Sequence, residues 1–180
     1  MNELRTYLDD VVRTFRKSKA LAEGALAQMS DDDLRRAIDP DANSVATLMQ
    51  HLSGNLRSRF TDFLTTDGEK PDRDRDTEFT ANELSRDALL SRWQAAWEVT
   101  LAAIAGLEPH DLARTVHIRG EAFAVVEALN RAATHTSYHV GQIVLLAKHF
   151  AGPEWRSLSI PKGQSANYAV GKYKQQAPPT

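Results

Sequence analysis

His135-Thr-Ser-Tyr-His139 stands in the middle of the longest apolar run of the chain. Histidines four positions apart on a helix lie about 40° apart around the axis, one turn above the other, so both rings reach one point. That point is a candidate metal site. From Phe123 to Phe150 the residues Val126, Leu129, Ala133, Thr136, Val140, Ile143, Ala147 and Phe150 recur at alternating spacings of three and four, which predicts one long helix. A second row runs beside that stripe through Ala132, His135, His139, Gln142 and Leu146. Few charges interrupt either row, so much of the helix circumference is expected to be buried. An imidazole nitrogen placed there needs a hydrogen-bond partner or a metal. Pairs of this spacing also arise by chance, so the site requires a further ligand from elsewhere in the chain.

Three amphipathic segments precede this one. Residues 3 to 29 put Leu4, Leu8, Val11, Phe15, Ala22, Leu26 and Met29 on one face. Ser30 followed by three aspartates predicts a short helical turn reaching Ile38, stopped by Pro40. Ser44 is an N-cap for a second long helix ending near Leu64, with Val45, Leu48, Leu52, Leu56, Phe60 and Phe63 as its apolar face. Beside that face lies a polar row, Thr47, His51, Asn55, Ser58 and Asp62, and Arg59 lies a turn beyond Asn55. Asn55 and Arg59 could orient a ligand or bind an anionic group; a flank facing solvent explains them equally well.

Thr65 to Ala81 is the most polar stretch of the chain, and its mixed charges read as a solvated loop. It lacks the spacing and closing glutamate of an EF-hand. Its length can span a helix of about 30 Å, which allows the next helix to run parallel to the second. That third helix is expected over Ala81 to Gly106 on a stripe of Leu90, Trp93, Trp97, Leu101 and Ile104. Thr115 to Gly120 alternates and ends on glycine, predicting a short extended or hairpin segment before the fourth helix. His110, His117 and His149 fall outside any convergent spacing and read as structural or exposed. After Gly152-Pro153 a polar tail carries Trp155, Leu158 and Ile160, enough apolar surface to dock on the helices. One domain is expected over 1–168, with residues 169–180 a frayed C-terminal tail.

At 180 residues the chain can bury a sizeable core without cross-links, and 42% hydrophobic with 26% charged residues suits an ordinary soluble domain. The formal net charge of −2 offers no footprint for nucleic acid, and no basic amphipathic helix suggests a membrane surface. There is no signal-peptide core at Met1-Asn-Glu-Leu-Arg5, and a cytoplasmic location is expected. Cysteine is absent, so any thiol chemistry needs a thiol brought by a substrate.

Four amphipathic helices of similar length make an all-α four-helix bundle the natural architecture, and bundles build sites from side chains on facing helices. Ser44-Val-Ala-Thr-Leu-Met-Gln-His51-Leu on the second helix and His135-x-x-Tyr138-His139-Val-Gly141-Gln142 on the fourth resemble the DinB/YfiT-like superfamily over most of the chain. Gly54-Asn-Leu-Arg-Ser-Arg59 and Trp155-Arg-Ser-Leu-Ser-Ile-Pro-Lys-Gly-Gln-Ser165 are similar to an uncharacterised subgroup of it. The resemblance implies an up-down-down-up bundle with a long loop between helices two and three. It also implies a divalent metal, zinc or nickel, held by His51, His135 and His139. Relatives are often dimers, which leaves a homodimer open.

Three imidazoles leave a coordination position for water or substrate. Activated water gives hydrolysis; a small-molecule thiol, ionised by the metal, gives transfer or thiol-dependent isomerisation. The resemblance favours the thiol route, because characterised relatives include bacillithiol and mycothiol users. HExxH is missing. Metal-dependent hydrolysis and a non-catalytic metal-binding bundle in stress response are the alternatives. Asn55, Arg59, Tyr138 and Gln142 are candidates for supporting the metal or meeting substrate.

Overall fold

The computed structural model describes residues 3–80 and 84–167. The described chain is mostly helical, with five helices and one two-stranded sheet: α1 (Glu3–Leu26), α2 (Asp31–Arg35), α3 (Val45–Phe60), α4 (Arg86–Ala105), β1 (Thr115–Ile118), β2 (Glu121–Ala124) and α5 (Val125–Ala151). No helix among the described residues is long and apolar enough to cross a membrane. The expected tail at 169–180 and the expected helix start at Ala81 lie outside the described residues.

The helix starts follow capping chemistry. Ser30, Ser44 and Ser85 each accept the backbone N–H three residues on, at Asp33, Thr47 and Ala88. Ends depart from the apolar pattern where the backbone finds another partner. α3 stops at Phe60 rather than Leu64, because Thr61 is extended, its hydroxyl donates back to the Arg57 carbonyl, and Asp62 takes a positive φ of 48°. α2 stops at Arg35, leaving Ile38 exposed instead of within the turn. Leu4, on the expected apolar face of α1, is also half-exposed.

α3 packs along α4 and α1 along α5, while α1 also meets α4 and α3 also meets α5. Trp93 and Trp97 of α4 are fully buried between them. Phe15 of α1 sets its ring edge-on to Trp97 at 6.2 Å and to Phe60 of α3 at 5.8 Å, so aromatics from three helices fill the centre. Arg86 at the start of α4 donates to the carbonyls of Leu26, the last residue of α1, and of Met29 just beyond it, tying the two helix ends together.

The expected extended segment is an antiparallel hairpin, Thr115 opposite Ala124 through Ile118 opposite Glu121. Its two-residue turn, Arg119-Gly120, has positive φ at both positions, the geometry that matches strand twist. β2 runs directly into α5, so the helix expected from Phe123 begins at Val125. In the tail, Leu158 packs over Gly24 of α1, and Gln28, just beyond that helix, exchanges hydrogen bonds with the Arg156 backbone, but Ile160 remains exposed.

Candidate metal centre

His51 sits near the middle of α3, on the row beside its buried apolar face, and its ring points to the α5 face that carries His135 and His139. One nitrogen from each of the three rings lies within 4.8 Å of the others. Nε2 of His51 and Nε2 of His135 are 3.2 Å apart. Two nitrogens bound at about 2.0–2.1 Å to a four-coordinate ion sit roughly 3.3–3.4 Å from each other, so His51 and His135 already stand at close to ligand spacing. The three histidines could hold a metal ion.

The donor chemistry fits as well as the spacing. His51 Nδ1 is 2.9 Å from the Glu78 carboxylate, which accepts, so Nδ1 carries the proton and Nε2 presents a lone pair. His139 Nδ1 likewise meets Gln142 Oε1 at 3.0 Å, which turns its Nε2 into the free acceptor. His135 has a buried Nδ1 with no partner, an unsatisfied atom in the middle of an otherwise paired cluster. Burial and the neighbouring rings push the His135 imidazolium down to about 4, and burial lowers His139 too, so both rings are neutral near pH 7. Neutral imidazole is the form that ligates.

The loop after α3 departs furthest from expectation. Thr65 to Ala81 reads as solvated, yet Glu78 and the Arg73 side chain within it are buried. The reason is mutual pairing: Arg73 donates Nε and Nη2 to the two Glu78 oxygens at 2.8 and 2.9 Å, forming a fork that lets both charges leave water. Burial alone would raise the Glu78 carboxyl, but hydrogen bonds from His51 and Arg73 and the guanidinium charge hold it below the ordinary carboxylate range. Phe79, next in sequence, stacks on the His51 ring at 4.9 Å. Gly54, one turn after His51, makes room for this insertion, since a Cβ there would overlap the Glu78 carboxylate.

Further along, Glu69 takes Arg59, Arg73 and Arg119 together. Asp67 accepts the backbone N–H groups of Glu69, Arg119 and Gly120, which hold its carboxyl down to about 2 and tie the loop to the hairpin turn.

A cavity of about 680 Å³ opens onto the three rings. Of the remaining sequence candidates, Asn55, Arg59 and Tyr138 line it; Gln142 does not, and instead fixes His139 from behind. Arg59 spends Nη1 on the Gly68 carbonyl and Glu69, making it first a fastener of the loop. Tyr138 is largely exposed at the rim. His110, His117 and His149 are exposed, though His117 reaches the cavity from β1. Sequence reasoning missed Glu78, Arg73 and Phe79. Gly54 was the available signal, because a glycine inside a helix costs about 1 kcal/mol relative to alanine and so marks a close approach.

Residues 2–164 match the model of a family described as "Protein of unknown function (DUF1572)". No curated protein matches the chain.

Proposed function

We propose, from the premise that the chain belongs to this family of unknown function and from the geometry of its histidine cluster, that it is a metal-dependent enzyme transferring or isomerising small substrates with a thiol cosubstrate. The cavity carries this reading. It exposes the three imidazoles and has no aspartate or glutamate among its described lining residues. Glu78, the nearest carboxylate, is committed to His51 and Arg73. Metal-dependent hydrolysis is served by a carboxylate base beside the activated water, and among the described residues the lining offers only His117, whereas a metal-bound thiol can ionise without one. The chain has no cysteine, so the thiol comes with a second small molecule.

His51, His135 and His139 would hold the ion, zinc or nickel by the nature of three nitrogen donors. When bound, it would supply a Lewis acid that lowers the pKa of a thiol at an open position. The chain's own residues do the rest: Glu78 and Gln142 fix the tautomers of two ligands, Phe79 clamps the His51 ring, and the cavity walls orient the electrophile. The helix pairings, α3 with α4 and α1 with α5, together with the long excursion between α3 and α4, support an up-down-down-up four-helix bundle of the DinB/YfiT-like kind.

The test is conjugation of chlorodinitrobenzene by protein purified without chelator. A C–S bond forms, chloride leaves and the thiol proton passes to solvent. Turnover that needs both an added small-molecule thiol and the metal supports the reading. Ester or amide cleavage without thiol overturns it in favour of a hydrolase, and a metal-loaded protein active in neither assay overturns it in favour of a non-catalytic metal-binding protein.

A further inference from the structure

Five arginines line the cavity, Arg59, Arg73, Arg75, Arg119 and Arg131, although the whole chain carries a net charge of −2. Three of them share two carboxylates: Glu69 serves Arg59, Arg73 and Arg119, and Glu78 serves Arg73. Arg75 and Arg131 have no carboxylate partner among the described residues. Each instead rests on an aromatic face, Arg75 at 5.2 Å from the Phe79 ring and Arg131 at 5.6 Å from the Phe123 ring. Stacking of this kind holds a guanidinium in place and leaves its in-plane N–H donors free. Asp74, beside Arg75 in sequence, is no counter-charge for the cavity, since it caps the backbone N–H groups of Asp76 and Thr77 and does not line the wall.

Both arginines are placed relative to the histidines. Arg131 precedes His135 by four residues on α5, so it continues the row of His135 and His139 one turn on. Arg75 stacks on the same Phe79 ring that stacks on His51. The space between is large enough for a molecule of drug size, and Phe60, Phe63 and Tyr138 give it aromatic surface.

We infer that the cavity binds a small organic anion, a carboxylate or phosphate carried on an apolar body, with the anionic head on Arg75 and Arg131 and the rest against the aromatic wall. This names the substrate class of the proposed enzyme and rests on that reading only for which end of the molecule reacts. The recognition itself belongs to the arginines.

The experiment is calorimetric titration of the full chain, as purified and after chelation, with phenylpropionate, phenethyl phosphate and the neutral phenylpropionamide. At least one anion binds about tenfold tighter than the amide, the effect of a single charge-assisted contact, and the better anion identifies the head group. Arg75→Gln with Arg131→Gln brings that anion to the level of the amide. Arg57→Gln, an exposed arginine paired with Asp72 outside the cavity lining, leaves the preference unchanged. The inference is overturned if neither anion binds at millimolar concentration, if the amide binds as well, or if the preference survives the double substitution. It is equally overturned if chelation alone removes the preference, which assigns the anion to the metal. A protein that takes up no metal but keeps the preference counts against the metal reading alone and supports this one.

Discussion

The pair of histidines on α5 and the single histidine on α3 arrive at one point by different means. His135 and His139 are brought together by helix geometry alone, and Gln142, three residues on in the same helix, steadies His139. His51 depends on a partner 27 residues away, Glu78, delivered by a loop that is itself held by Arg73, Glu69 and Asp67. One half of the site is intrinsic to a helix. The other half exists only when the loop is folded, which makes the α3 side the place where metal affinity is most easily lost or tuned.

The sharpest way to break this comparison is to weaken each support in turn. Glu78→Gln keeps the shape but removes the charge on His51 and leaves Arg73 short of a partner. Metal affinity should fall roughly 10- to 100-fold, as for other ligand-supporting carboxylates. Gln142→Leu removes only a neutral acceptor, so competition titration against a chromogenic chelator should show a loss of about tenfold or less. Equal losses from the two would erase the distinction between loop and helix.

Gly54→Ala comes next. The added methyl displaces Glu78 without touching a histidine. Its metal affinity should drop toward that of Glu78→Gln, with a loss of about 1–3 kcal/mol in urea unfolding from overpacking. An unaltered affinity would mean that the loop does not govern His51.

The smallest effect is on pH dependence in the chelated protein. His135 is held down to about 4, whereas in the unfolded chain it takes up its proton near the usual value of about 6.5. Between those values the unfolded state binds more protons, so the stability tied to the neutral ring is fully present above about pH 6.5 and is lost as pH falls toward about 4. His139, lowered as well, acts with the same sign. The urea midpoint should therefore decrease with acidification over that window, and His135→Phe should flatten the decrease. A midpoint insensitive to both would contradict the neutral, buried state of the ring.

The α5 half was legible because a helix converts sequence spacing directly into spatial proximity. His51 was legible more weakly, as a polar residue beside an apolar stripe whose partners became apparent once the two helices faced each other. The hairpin turn could be read from Gly120, and two of the serine caps, Ser30 and Ser44, from their positions; Ser85, the cap of α4, was not read. The loop was opaque for a physical reason. Arg73 and Glu78 are buried only because they neutralise each other, and a run of alternating charges looks the same whether its members pair inward or face water. Arg75 and Arg131 were hidden in the same way. Their significance is the missing counter-charge, which only three-dimensional arrangement reveals.

Everything turns on whether the three rings take up an ion. Elemental analysis of protein purified without chelator, run beside His139→Ala, measures this directly. The account predicts about one zinc or nickel per chain in the native protein and none in the variant. A native protein that stays empty when supplied with either metal, or a variant that keeps its full content, would contradict it.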